Sequence, residues 1–170
     1  MIIRFFQAMI FENHQNFLSA IKQNSSHYKL MALDVGGKKI GLATSHVSLN
    51  VVTPYKVILR KNLKADIASL KHEIMENNIH GLVIGLPISS NGEHTENTNK
   101  MVVFANKLAG SIDTPITFYD ERYSTKLADV MLRDLDMNRK ERNQIDDQIS
   151  ASIILEDFLR LNELNKTKYL

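Results

Sequence analysis

Leu30-Met31-Ala32-Leu33-Asp34-Val35-Gly36-Gly37-Lys38-Lys39-Ile40-Gly41-Leu42-Ala43-Thr44 carries the decisive pattern. A short apolar run, Leu30–Val35, stops at Gly36-Gly37, and a second, Ile40–Thr44, follows directly. Two β-runs split by a glycine pair make a hairpin. Asp34 stands inside the first strand between Leu33 and Val35, against strand propensity.

Downstream, Val51–Leu59 reads as a third strand, with Pro54 pointing to an edge position or a bulge. Leu63, Ile67, Leu70 and Ile74 form a helical stripe that His80-Gly81 should end. The continuous apolar run Leu82–Leu86 has the character of a buried parallel strand. Pro87 and Ser89-Ser90-Asn91-Gly92 open a polar loop, and Met101, Phe104, Ala105 and Leu108 mark a second helix. Pro115–Tyr119 is the fifth strand. Helices follow from about Ser124 (Leu127, Val130, Met131) and from about Asp147 (Ile149, Ile153, Ile154, Phe158, Leu161).

Three strands joined by hairpin-length links, followed by β-α-β crossovers, predict an α/β fold. Its mixed five-stranded sheet has three antiparallel strands, then parallel ones, with helices on both faces. Upstream, Phe5, Phe6, Met9, Ile10, Phe17, Leu18 and Ile21 repeat at helical spacing. Residues 1–28 therefore read as an N-terminal helical extension, with a polar hinge at Gln23–His27, and residues 29–170 as the domain.

Composition narrows the function classes. The 170 residues, 44% hydrophobic and 24% charged, suit one domain with an ordinary core. No run approaches the roughly 18 apolar residues of a membrane span. The absence of cysteine removes disulfide scaffolds, zinc–cysteine sites, iron–sulfur clusters and thiol nucleophiles. Gln7, Glu12 and Asn13 interrupt the first apolar run, which argues against a secretory signal, and Arg4 stands alone where a transit peptide wants several arginines. The expected setting is cytoplasmic. A net charge of +2 (21 Lys+Arg, 19 Asp+Glu) means that nucleic-acid affinity must come from a local patch.

In a sheet of this kind ligands sit beyond the carboxyl ends of the parallel strands. Three groups of acids fall there: Asp34, the pair Asp120-Glu121 after the fifth strand, and Asp146-Asp147 before the last helix. Each has a plain reading as well. Asp34 can anchor a turn, Asp120-Glu121 can begin a loop, and Asp147 can cap a helix. Converging together, they form a hard-oxygen site suited to Mg²⁺ or Mn²⁺. Two such ions, about 3.5–4 Å apart, can activate water and stabilise the leaving oxygen of a phosphodiester.

The six histidines show no HxxH or HExxH spacing, and neither GxxxxGK[ST] nor GxGxxG occurs. His94, in the Ser89–Asn97 loop, is the one histidine placed to face a substrate. Arg139-Lys140-Glu141-Arg142, just before Asp147, reads either as a solvated loop or as a phosphate clamp.

Four segments in order resemble the YqgF/RuvX family. Leu33–Ala43 is similar to its opening motif, Val83-Ile84-Gly85-Leu86-Pro87 to its VGLP segment, and Asp120-Glu121-Arg122-Tyr123-Ser124-Thr125 to its DERxT motif. Asp147-Gln148-Ile149-Ser150-Ala151 resembles its DxxSA helix start. The resemblance covers about residues 30–162 and implies the RNase H-like fold of RuvC-type resolvases. It further implies a metal-dependent nuclease of the 5′ end of pre-16S rRNA, a family earlier described as Holliday junction resolvases. By motif, Asp34, Glu121 and Asp147 would be the catalytic, metal-binding acids, with Asp120 as an accessory ligand. Lys38, Lys39, Arg122, Thr125, Lys126, Arg139, Lys140 and Arg142 would contact nucleic acid. Two departures stand out: Gly37 replaces a threonine, and Asn97 stands where an arginine is common.

The implied partners are structured RNA (pre-16S rRNA) or branched DNA, and pre-ribosomal particles, with no membrane. The leading expectation is thus an rRNA-processing endonuclease. The alternatives are a junction-resolving DNA nuclease and a catalytically idle nucleic-acid or ribosome-binding module. A sugar kinase or actin-type ATPase shares the Asp-x-Gly hairpin but needs two such domains, and this length holds one.

Overall fold

The computed structural model describes residues 9–24, 27–46, 51–121 and 149–161. Within them the order is β1 (Ile10–Phe11), α1 (His14–Asn24), β2 (Leu30–Val35), β3 (Lys39–Ser45), β4 (Val52–Leu59), α2 (Leu63–Glu76), β5 (Gly81–Leu86), α3 (Glu96–Ala109) and β6 (Ile116–Asp120). A further helical segment spans 149–161. The helix expected from about Ser124 lies outside the described residues.

The strands form one sheet in the order β1-β6-β5-β2-β3-β4. β2, β3 and β4 pair antiparallel, while β2, β5 and β6 run parallel, as the hairpin and crossover spacings require. The sheet has six strands rather than five. Ile10-Phe11, read as part of an amphipathic helix, is instead a strand running parallel to β6, with Ile10 opposite Ile116 and Phe11 opposite Thr117. The helix begins only at His14. A second boundary also moves. α2 stops at Glu76, before His80-Gly81, because Asn78 takes a left-handed φ of 50° and turns the chain toward β5.

Side chains of a strand alternate between faces, and the two faces build two cores. Met31, Leu33, Leu82, Ile84 and Ile116 pack with Leu70 and Ile74 of α2 and Met101, Phe104 and Leu108 of α3. On the other face Leu30, Ala32 and Val83 pack with Phe17, Leu18 and Ile21 of α1 and Ile154, Leu155 and Phe158. The Phe17 and Phe158 rings meet edge-on at 5.8 Å. Pro54 lies on the outer strand β4, where the β3–β4 register shifts, so its missing N–H disrupts no interior ladder.

Gly81 is where α1 meets the sheet. A Cβ there would lie 2.4 Å from Ile21 Cδ1 and 2.7 Å from Phe17 Cζ. Gly81→Ala is therefore expected to lower stability by about 1–3 kcal/mol through overpacking, read as a lower urea midpoint with an unchanged m-value. An unchanged midpoint would mean that α1 is not held against β5.

Candidate functional site

The parallel strands β2, β5 and β6 end together, and the expected acids emerge at those ends. Asp34 is the fifth residue of β2, on the same face as Leu30 and Ala32, the face covered by the segment 149–161. Gly85 follows Val83 onto that face at the end of β5. Glu121 comes directly after β6, and its N–H donates to the Leu86 carbonyl at 3.2 Å, fixing it to the neighbouring strand.

The Glu121 carboxylate lies over Gly85. A Cβ on Gly85 would sit 1.6 Å from Glu121 Oε1 and 2.7 Å from Ile154 Cδ1, so the missing side chain is what admits the acid. Asp34 and Glu121 line one cleft of about 580 Å³, with Gly36 and Gly37 of the hairpin, Pro87, and Asn97, Lys100, Met101 and Phe104 of α3.

Burial pushes the Glu121 carboxyl up to about 8, and the neighbouring charges of Asp34 and then Asp120 push in the same direction. Asp120, the last residue of β6, is half-buried and paired in register with Leu86. Convergent carboxylates with no sulfur or imidazole donor among them suit a hard divalent cation. The space over Gly85 seats the Glu121 carboxylate against β5, within electrostatic reach of Asp34. Among the described residues no three acidic or imidazole side chains form a complete ion-binding group. Asp147 and its neighbour Asp146, expected to complete the set, lie outside the described residues.

Of the expected nucleic-acid contacts, Lys38 and Lys39 are placed at the β2–β3 turn. The Gly36 N–H donates to the Lys39 carbonyl at 2.9 Å and closes that turn. Arg122, Thr125, Lys126, Arg139, Lys140 and Arg142 lie outside the described residues. His94 pairs with Ile88 in a short bridge and is absent from the cleft lining. The loop it belongs to is rigidified by a capping box at the start of α3, in which Thr95 and Thr98 exchange hydrogen bonds, and by the Thr98 hydroxyl donating to the Pro87 carbonyl.

The structure adds residues that sequence reasoning missed. Arg60, just past β4, lines the cleft, and so does Lys100 of α3. Arg60 Nε donates to Asp66 Oδ2 at 2.8 Å and Arg60 Nη1 to the Gly36 carbonyl at 2.7 Å, while the Phe104 ring lies 5.5 Å from its guanidinium carbon. The role of Gly85 was missed too, although a glycine inside an apolar strand is itself a signal of close approach.

A family model described as RuvX, Holliday junction resolvase, matches residues 28–161. A protein of Rickettsia bellii (strain OSU 85-389) named "Putative pre-16S rRNA nuclease" is 41% identical over 158 residues, 93% of this chain and 99% of that one. The protein of the same name from Rickettsia felis is 42% identical over 151 residues, 89% of this chain and 96% of that one. Among solved structures, T. thermophilus RuvC in complex with a Holliday junction substrate is similar at TM-score 0.52 and 13% identity, covering 81% and 97% of the two chains. Fowlpox virus resolvase with its Holliday junction DNA gives TM-score 0.50 at 12% identity, covering 78% and 97%. These likenesses establish the fold as that of RuvC-like resolvases, RNase H-like, as the order of motifs implied.

Proposed function

The chain belongs to the RuvX family, and from that premise we propose that it is a divalent-metal-dependent endonuclease of structured RNA, acting in the cytoplasm on the 5′ end of pre-16S rRNA within pre-ribosomal particles. The observation that carries this reading is the pair of carboxylates from β2 and the end of β6 that share one cleft over a glycine.

Asp34, Glu121 and Asp147, with Asp120 beside them, would hold Mg²⁺ or Mn²⁺. Bound there, such an ion supplies Lewis-acid activation of water and of the phosphodiester. The chain's own part is orientation and charge. The β5–β6 ladder fixes Glu121, and the closed Gly36–Lys39 turn fixes the backbone that follows Asp34. Lys38, Lys39, Arg122, Thr125, Lys126, Arg139, Lys140 and Arg142 would hold the phosphate backbone.

Glu121 must lose its proton before it can act as a ligand. With its carboxyl raised to about 8, protons compete with the cation at neutral pH. The apparent Mg²⁺ affinity is therefore expected to climb up to about tenfold per pH unit from pH 6 toward 8 and then level off. Calorimetric titration at several pH values measures this, and a pH-independent affinity would remove Glu121 from the ligand set.

The family's description as Holliday junction resolvase favours a second reading, cleavage of branched DNA. The deciding experiment incubates the full chain with a pre-16S rRNA 5′-leader transcript and, separately, with a four-way DNA junction, each with Mg²⁺, Mn²⁺ or EDTA. Metal-dependent cutting of the RNA alone is expected. Cutting of the junction alone transfers the activity to DNA, and cutting of neither leaves an idle binding module.

A further inference from the structure

We propose that Arg60 and Lys100 form a phosphate seat on the α3 side of the cleft, which takes a phosphodiester of the RNA strand adjacent to the one that is cut. This rests on the nuclease reading above and adds to it where the strand runs.

Carboxylates at one end of the cleft repel an approaching phosphate, so a backbone that passes Asp34 and Glu121 needs cations beside them. The described part of the cleft offers two, and they are built differently. The Arg60 guanidinium is held from behind. Asp66, only 2% exposed, accepts a hydrogen bond from Nε, the Gly36 carbonyl accepts one from Nη1, and the guanidinium carbon lies over the Phe104 ring. An arginine carries five N–H donors in a fixed fork. Two have partners among the described residues, and the side chain stays 26% exposed at the cleft wall. With Nε and Nη1 each engaged, the Nη2 hydrogens and the second Nη1 hydrogen remain to meet a phosphate oxygen from a guanidinium already held in place.

Lys100 is the weakly held member. Its ion pair with Glu96 is a surface i,i+4 contact, with the two side chains 69% and 83% exposed. Such a pair contributes little, so the ammonium can move to a phosphate at small cost. Arg60 also ties the hairpin that follows Asp34 to α2, through Gly36 and Asp66. Strand contact and hairpin placement thus meet in one side chain.

The test is a salt titration of a fluorescein-labelled single-stranded RNA with the sequence of the pre-16S rRNA 5′ leader. The protein is full-length Asp34→Asn in EDTA, so that binding is read without cleavage. Arg60→Gln and Lys100→Gln are each expected to lower the log–log salt slope by about 0.7, and both together by about 1.4. Lys71→Gln, on the exposed side of α2, should leave the slope unchanged. If Arg60→Gln fails to fold with Asp66 left unpaired, Arg60→Gln/Asp66→Asn keeps the hydrogen bond without either charge and carries the same expectation. Folded Arg60 and Lys100 variants with the parent slope would overturn the seat, as would an equal loss from Lys71→Gln or no RNA binding by the parent. Cleavage is assayed separately with Asp34 intact. Reduced slopes in a protein that cuts no RNA would remove the nuclease reading and leave the seat standing.

Discussion

Glu121→Gln is expected to lower metal-dependent cleavage by roughly 10³-fold, about 4 kcal/mol at the transition state, while raising the metal-free melting temperature at pH 8. Burial, then Asp34, then Asp120 lift this carboxyl from 4.5 to about 8. A carboxyl whose folded pKa lies above its unfolded one binds its proton more tightly in the native chain. Stability therefore falls as pH rises between those two values. Glutamine mimics the protonated acid at every pH. Its benefit should be small near pH 5 and reach about 2 kcal/mol near pH 8, allowing for the partial exposure of the side chain, or about 4–8 °C. Differential scanning fluorimetry in EDTA at both pH values, beside a cleavage assay, reads both effects. A lower melting temperature for the variant at pH 8 would show a carboxylate held by stabilising contacts rather than one kept for a cation.

Gly85→Ala should be as damaging to cleavage, by a different route. In an ordinary strand alanine is preferred to glycine by roughly 0.5–1 kcal/mol. Here the added methyl would stand 1.6 Å from Glu121 Oε1 and 2.7 Å from Ile154 Cδ1. The carboxylate is the far end of a flexible side chain and can swing aside, so the fold should survive with a loss of about 1–2 kcal/mol from the Ile154 contact. Glu121 would then no longer face Asp34. The expected result is a folded protein with no melting-temperature response to Mg²⁺ and cleavage reduced at least about 10²-fold. A full Mg²⁺ response and normal cleavage would mean that the site does not depend on that close approach.

Local patterns made most of the sheet legible. The glycine pair after Val35, the apolar runs, and the stripes of α2 and α3 each depend on neighbours in sequence, and each formed nearly where expected. β1 was hidden for the opposite reason. Two residues are too few to show alternation, and Met9 and Ile10 fitted the helical spacing that runs on to Ile21. Only the ladder of Ile10 and Phe11 with β6, more than a hundred residues away, makes them a strand. The site divides in the same way. Asp34 and Glu121 stood out as acids at strand ends, whereas Arg60 reaches Gly36 across 24 residues, a convergence that no spacing rule reveals.

The docking of β1 bears on how the Glu121 strand is kept in shape. Without Ile10 and Phe11, β6 would be the outermost strand, its outward N–H and C=O groups open to water or to another chain. Instead the Ile116 N–H donates to the Met9 carbonyl at 3.0 Å, the Thr117 hydroxyl to the Phe11 carbonyl at 2.8 Å, and His14 Nε2 meets the Phe118 carbonyl at 3.0 Å. Residues 9–14 therefore act as a selvedge, the bound margin that stops a woven cloth from unravelling. A chain shortened to the family-matched residues 28–161 would lose that margin next to the strand that delivers Glu121. It would gain a sticky edge and a fraying one together.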